Sequence, residues 1–267
     1  WIHIAEALKS VGVRTPLIHE HYEDENALLM EDCKDFLLTD EINKLSKSGD
    51  RKAIEDYYQS SLELLASAQK LDKNQLKYVL GKKTLYNDLM LFFNEHLKKR
   101  VQEKPKLVNE KKFQEEASSL CEYLNKREKC FTHRDFHSRN LLLLDKELIL
   151  IDFQDACLGP RAYDLVSFVF DPYTKVSLGQ KKEIFFAGLD FLKSNLNKKA
   201  REDLENSWKC VAIQRLYKIL GSYNFLGAMK GKEKFLQYIK PTLQTLESLD
   251  LFDKHWPYLT KQLKEEV

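Results

Sequence analysis

His133-Arg134-Asp135-Phe136-His137-Ser138-Arg139-Asn140, followed twelve residues after Asn140 by Asp152-Phe153-Gln154, decides how this chain is read. Cys130-Phe131-Thr132 leads in as a short strand, and two apolar runs, Leu141 to Leu144 and Leu148 to Ile151, are joined by Asp145-Lys146-Glu147. That pattern predicts a β-hairpin. A hairpin returns the chain to the end it left, so Asn140 and Asp152 are expected to finish side by side. Phosphoryl transfer needs a carboxylate beside the attacking hydroxyl and oxygen ligands that hold Mg²⁺ on the phosphates. Asp135 can accept or orient the hydroxyl proton, and Asn140 and Asp152 can offer Mg²⁺ the hard oxygen donors it prefers. A lone D-x-x-x-x-N would be explained as well by polar residues flanking a buried hairpin. The full spacing of H-R-D-x-x-x-x-N, hairpin and D-F-Q points to a kinase-type site.

The segment from Cys130 to Tyr173 resembles the aminoglycoside-phosphotransferase-like kinases, and within them it is most similar to the bacterial sugar 1-kinases that act on N-acetylmuramate and N-acetylglucosamine. The closer likeness rests on His137-Ser138-Arg139-Asn140, Asp152-Phe153-Gln154-Asp155-Ala156, Gly159-Pro160 and Tyr163-Asp164-Leu165-Val166-Ser167. Leu28-Leu29-Met30-Glu31-Asp32 resembles the last strand of the family's smaller lobe and the hinge behind it. Gln214-Arg215-Leu216-Tyr217-Lys218-Ile219-Leu220-Gly221 resembles a helix of the same sugar kinases. The likeness is strong over residues 130–173 and looser over 1–100 and 208–226.

The resemblance implies an α+β, protein-kinase-like two-lobe fold with a mainly helical C-lobe. Ile2 to Val11 reads as a helix, with strands around Pro16 to Tyr22 and Ala27 to Glu31. In the family's order these are the end of the smaller lobe, so residues 1–32 are expected to be its remnant and 33–267 the helical lobe. The N-lobe is then truncated: the first strands, the phosphate-covering loop and its lysine are expected before residue 1, and the chain reads as a fragment rather than as a natural protein lacking half of its nucleotide-binding lobe. The resemblance also implies that Met30, Glu31, Asp32 and Cys33 form the nucleotide-binding hinge, where main-chain groups hold the base of ATP. Without it, a plain strand-to-loop transition explains them equally well.

Charge excludes some classes. The 43 basic and 41 acidic residues nearly cancel, without the basic stripe of a nucleic-acid binder. Lysines interleave with acids, as on solvated helix faces; Lys98-Lys99-Arg100 reads as a helix end, where cations are favoured. Five cysteines, at 33, 121, 130, 157 and 210, show neither a disulfide framework nor zinc spacing. They read as buried thiols, with Cys33 and Cys157 flanking the nucleotide site. No apolar run has membrane-spanning length and no signal peptide is seen. The composition fits a soluble, cytoplasmic protein with no nucleic-acid or membrane partner; the oligomeric state is not legible.

The remainder is mainly helical by its apolar spacing: Arg51 to Leu71, Thr84 to Val101, Lys111 to Lys126 with Asn109 as cap, Tyr163 to Phe170, Gln180 to Asn195, Arg201 to Phe225, Glu233 to Leu246 and Asp253 to Lys264. Gln102 to Lys112, with Pro105, reads as a surface connection.

For the acceptor, His137, Arg139 and Asp155 are candidate substrate-binding residues. Arg139 suits a carboxylate such as a lactyl group; an ion pair to Asp155 or Asp171 that holds the loop is the competing reading. His133 and Asp164 read as hydrogen-bonding braces of the loop. Asn94, Glu95 and His96 read as a polar helix surface. The expected reaction is transfer of the γ-phosphoryl of ATP, with Mg²⁺, to a sugar hydroxyl, the anomeric one of an N-acetylated amino sugar in cell-wall recycling. A kinase for an aminoglycoside, choline or another sugar, and a non-catalytic kinase-like module, are the alternatives.

Overall fold

Capping side chains and apolar spacing set most of the helices. The computed structural model describes residues 1–97, 109–251 and 254–261. In chain order the elements are α1 (Ile2–Ser10), β1 (Ile18–Tyr22), β2 (Ala27–Met30), α2 (Leu38–Ser48), α3 (Arg51–Ala68), α4 (Lys82–Phe92), α5 (Glu110–Asn125), β3 (Lys129–Thr132), β4 (Leu141–Leu144), β5 (Glu147–Leu150), β6 (Cys157–Pro160), α6 (Ala162–Val169), α7 (Leu178–Ser194), α8 (Lys198–Asn224), α9 (Ile239–Ser248) and α10 (Pro257–Lys261). Asp50, Asn109, Ser177 and Asn197 each accept a hydrogen bond from the backbone N–H three residues on, starting α3, α5, α7 and α8. Gly49, at φ 76°, ends α2 in the left-handed conformation that glycine adopts without penalty.

The chain forms two compact units. The first comprises Trp1–Val79 and Lys129–Asn195. It holds three antiparallel pairs, β1 with β2, β3 with β6 and β4 with β5. In the β4–β5 hairpin Leu141 pairs with Leu150 and Leu144 with Glu147. The connecting residues are therefore Asp145 and Lys146, at φ 51° and 71°, the left-handed pair of a two-residue type I′ turn. Behind the strands α3, α6 and α7 pack closely: a Cβ on Gly188 would stand 2.8 Å from Leu62 and 3.0 Å from Leu165. Phe131, Phe136, Phe153 and Phe168 are fully buried in this unit.

The second unit comprises Leu80–Glu128 and Leu196–Val267. Here α4 and α8 touch at Gly221, where a Cβ would lie 2.6 Å from the backbone nitrogen of Phe92. One turn away, Tyr217 stacks on Phe92 with ring centroids 4.1 Å apart. Glu116 of α5 accepts the N–H groups of Tyr258 and Leu259, at 3.0 and 2.8 Å, capping α10.

Several expectations are corrected. The hairpin turn has two residues, not three, because Glu147 joins β5. The helix expected over Glu233 to Leu246 begins as a 3₁₀ turn, Glu233–Tyr238, before α9. A π-helical turn, Phe93–Leu97, follows α4 directly. Two elements went unread: α2, whose Leu38 and Ile42 are buried, and β6, whose Gly159-Pro160 signals a turn. Lys98-Lys99-Arg100, residues 101–108 of the expected helix end and surface connection, and residues 253 and 262–264 of the last expected helix lie outside the described residues. Among the described residues no helix is long and apolar enough to cross a membrane.

Candidate active site

The strand-to-loop transition after β3 is held from below by Asp164 of α6. This buried carboxylate accepts the N–H groups of His133 at 2.6 Å and Arg134 at 3.2 Å. Arg134 has φ 76°, a conformation that costs a non-glycine residue on the order of 1 kcal/mol and persists where surrounding bonds enforce it. His133 donates from Nε2 to the carbonyl of Ile151 at 2.9 Å, tying the loop to the exit of the hairpin. Burial pushes its imidazole down to about 4, so the ring is neutral, and Nδ1 is buried without a hydrogen-bond partner. His133 and Asp164 are thus structural braces.

The hairpin brings Asn140 and Asp152 together. Ile151 donates its N–H to the carbonyl of Asn140 at 3.1 Å. Asn140 Nδ2 donates to the backbone carbonyl of Asp135 at 2.9 Å and reaches Asp152 Oδ2 at 3.4 Å. One amide therefore links all three residues of the motif, and its orientation leaves Oδ1 as the atom that could meet a cation. Asp152 is exposed and sits at φ 61°, with Oδ1 accepting from Gln154 Nε2 at 2.7 Å. Phe153 anchors the turn by packing on Trp1, centroids 4.5 Å apart. Among the described residues no group of three or more His, Cys, Asp or Glu has metal-holding geometry. A pair of oxygen donors such as Asn140 and Asp152 suits an ion that takes the rest of its shell from phosphates and water, as Mg²⁺ does.

The expected hinge lies against the same hairpin. Leu143 donates to the carbonyl of Phe36 at 2.8 Å, and Leu150 to that of Arg14 at 2.9 Å. Both carboxylate oxygens of Glu31 accept from Arg14 Nη2, at 2.6 and 2.8 Å, and Oε2 also accepts from the N–H of Leu17 at 3.0 Å. These bonds hold its carboxyl below the usual range, so its side chain is structural. Asp32 is committed locally, accepting Lys34 N and Nζ at 2.9 and 2.7 Å. Cys33 is buried with Leu142 and Ile149, and burial pushes its thiol up. Met30 is 41% exposed. Cys157 is likewise buried.

The three candidate acceptor residues divide. His137 meets the ring of Tyr173 edge-on at 5.4 Å, and the Arg139 guanidinium lies 3.7 Å over the same ring. Asp155 is exposed in the turn after Phe153, where Ala156 donates back to the Phe153 carbonyl at 3.0 Å. Asp171, weighed as an ion-pair partner for Arg139, accepts instead from Ser138 N and Oγ, at 2.9 and 2.5 Å, and from Tyr173 N at 2.8 Å. The sequence reading missed Ser138 and Tyr173 as members of this site; the signal was Asp171-Pro172-Tyr173, inside the segment already singled out. Asn94, Glu95 and His96 belong to the second unit, on its first π turn, where Asn224 donates to His96 Nδ1 at 2.9 Å.

Comparison with known proteins adds the following. Residues 1–192 match the family described as "Phosphotransferase enzyme family". The N-acetylmuramate/N-acetylglucosamine kinase of Pseudomonas aeruginosa is 22% identical over 256 residues, 93% of this chain and 72% of that protein. The protein of the same name from Neisseria meningitidis serogroup B is 25% identical over 185 residues, 65% of this chain, which spans 54% of it. Among solved structures, a Plasmodium vivax ethanolamine kinase superposes with TM-score 0.56 at 15% identity, covering 91% of this chain and 70% of its own. A glucosamine kinase gives 0.56 at 15%, covering 93% and 69%. An ADP-bound aminoglycoside phosphotransferase gives 0.52 at 17%, covering 91% and 80%. These likenesses show the fold: α+β and kinase-like, with a helical major part.

Proposed function

Because this chain belongs to the phosphotransferase enzyme family, we propose that it moves the γ-phosphoryl group of ATP to a hydroxyl of a small sugar, the anomeric hydroxyl of an N-acetylated amino sugar such as N-acetylmuramate or N-acetylglucosamine. The observation that carries this reading is the Asn140 amide, bonded to the Asp135 carbonyl and within reach of Asp152 across the hairpin. The names of the two curated relatives support the acceptor class. On this reading the protein works in the cytoplasm on sugars recovered from the cell wall. Residues 1–32 correspond to the smaller lobe and 33–267 to the helical lobe.

Asp135 would orient the acceptor hydroxyl and take its proton. An anomeric hydroxyl is more acidic than an ordinary alcohol, so an ordinary carboxylate suffices as base. Asn140 and Asp152 would hold Mg²⁺, which supplies charge neutralisation on the phosphates when bound. The backbone of Met30 to Cys33 would hold the base of ATP. His137, Arg139 and Asp155 would face the acceptor, with the Arg139 guanidinium over the Tyr173 ring.

The test is ³¹P NMR of the full-length protein with Mg·ATP and, separately, N-acetylmuramate, N-acetylglucosamine and an aminoglycoside. A sugar-phosphate signal coupled to ADP formation, lost in Asp135→Asn, is the expected result. Product with the aminoglycoside alone would replace the acceptor. No product with any acceptor, together with no Mg·ATP binding, would overturn the reading in favour of a non-catalytic kinase-like module.

A further inference from the structure

The loop from His133 to Asn140 is pinned at two separate points. Its first half hangs on Asp164, through the N–H groups of His133 and Arg134. Its second half hangs on Asp171, which takes both the N–H and the hydroxyl of Ser138. With the Ser138 hydroxyl donating to Asp171, the Thr39 hydroxyl of α2, 2.5 Å away, donates to Ser138. Asp171 is 1% exposed. A carboxylate at that depth needs charge compensation as well as hydrogen bonds.

Lys181 of α7 lies behind it, 6% exposed. Its Nζ donates to the carbonyls of Asp171 and Thr174, at 2.5 and 3.3 Å. Burial pulls the ammonium down to about 8, and the Asp171 carboxylate pulls it the other way. Further bonds fix the rest of this turn. Asn43 Nδ2 donates to the Tyr173 carbonyl at 3.1 Å, and Lys175 N donates to Asn43 Oδ1 at 2.6 Å. The Thr174 hydroxyl donates to the Asp171 carbonyl at 3.1 Å. An apolar side chain of similar volume would fill the Lys181 position without the desolvation cost of an ammonium. What the ammonium alone provides is a countercharge and a clamp on two carbonyls of the turn.

We propose that Lys181 is a positioning residue: it fixes the Asp171–Thr174 turn, and through Asp171 and Ser138 it sets the half of the loop that carries His137 and Arg139. Tyr173, on the same turn, meets both of those side chains, so one clamp governs the loop segment and the ring against which it packs. Asp164 governs the other half independently, from α6. The consequence for acceptor binding rests on the function proposed above; the consequence for the loop does not.

The experiment pairs native-state amide exchange by NMR with steady-state kinetics on Lys181→Met. Expected is a loss of protection at the Ser138 amide at least tenfold greater than at the amides of His133 and Arg134, which Asp164 holds. Acceptor KM should rise about tenfold, with KM for ATP within about twofold of the parent. A purely structural lysine would lower protection equally at all three amides and leave both KM values unchanged in the folded fraction. Either that result or an unchanged Ser138 amide would overturn the proposal. Lys181→Gln, which keeps one donor without the charge, carries the same comparison where Lys181→Met does not fold. Failure of the parent protein to turn over any acceptor would remove the functional reading, while the exchange comparison would still decide the role of Lys181.

Discussion

At the scale of the residue, Asp135, Asn140 and Asp152 stand in one hydrogen-bonded set, to which the proposed mechanism gives separable duties. Asp135→Asn should lower turnover by a factor on the order of 10² to 10⁴, the range for removal of a general base, while Mg·nucleotide binding persists. Asp152→Ala should instead weaken nucleotide binding only when Mg²⁺ is present. Calorimetric titration with and without the metal separates the two, and turnover retained in Asp135→Asn would remove that residue from the mechanism. His133 makes a different prediction. The unfolded chain takes up a proton near pH 6.5 that the buried ring refuses until about 4. Stability from this group is therefore complete above 6.5 and falls with acid through that window, by about 3 kcal/mol when the loss is full. Urea midpoints measured across the window should show the slope, and His133→Gln should flatten it. The loop residues were legible in the sequence because the H-R-D-x-x-x-x-N spacing is local; Ser138 and Tyr173 were not, because their contacts depend on Asp171, which only folding brings to the loop.

At the scale of the element, the β4–β5 hairpin is what turns spacing into proximity. Its two-residue turn places Asp145 and Lys146 in the left-handed region, which costs an L-residue about 1–2 kcal/mol in the least favourable cases and glycine nothing. Lys146→Gly should therefore raise stability by about 0.5–1 kcal/mol, read as a shifted denaturant midpoint with unchanged slope. A destabilised variant would mean that the lysine makes a compensating contact. The α4–α8 packing predicts the reverse sign. Gly221→Ala would push a methyl to within 2.6 Å of the Phe92 backbone, and backbone gives way less readily than a side chain. A loss of about 1–3 kcal/mol is expected, and a neutral result would show that the helices slide apart freely. The sequence marked Gly221 by resemblance alone; the close approach of two helix backbones supplies its physical reason. Most helices were legible because 3.6-residue spacing and N-caps are written locally; α2, which follows Leu37 with no side-chain cap, was not. β6 was not, since its Gly159-Pro160 carries a turn signature that pairing with β3 overrides.

At the scale of the whole molecule, 43 basic and 41 acidic residues leave a formal charge of +2. Many ion pairs, such as Lys52–Asp56 and Arg51–Glu183, lie on the surface with their partners well exposed. Exposed pairs contribute little and are screened by salt. Raising ionic strength from about 0.05 to about 0.5 M should therefore move the thermal midpoint by less than about 3 °C, a shift under roughly 1 kcal/mol for a chain of this size. A larger drop would show that the surface pairs act as a network. Stability at this scale rests on the two buried cores, which hold Phe131, Phe136 and Phe168 in one unit and Phe92, Phe113 and Tyr217 in the other.

The sequence by itself determined the H-R-D-x-x-x-x-N spacing, the hairpin between Asn140 and Asp152 and the kinase-like class. Each is encoded in residues within about twenty positions of one another, where strand period, turn chemistry and ligand type act locally. Only the tertiary structure decided that Arg139 lies on Tyr173 and that buried Asp171 holds Ser138. Those contacts join segments that are distant along the chain, and hydrophobic burial, which is non-directional, brings them together without leaving a periodic trace in the sequence.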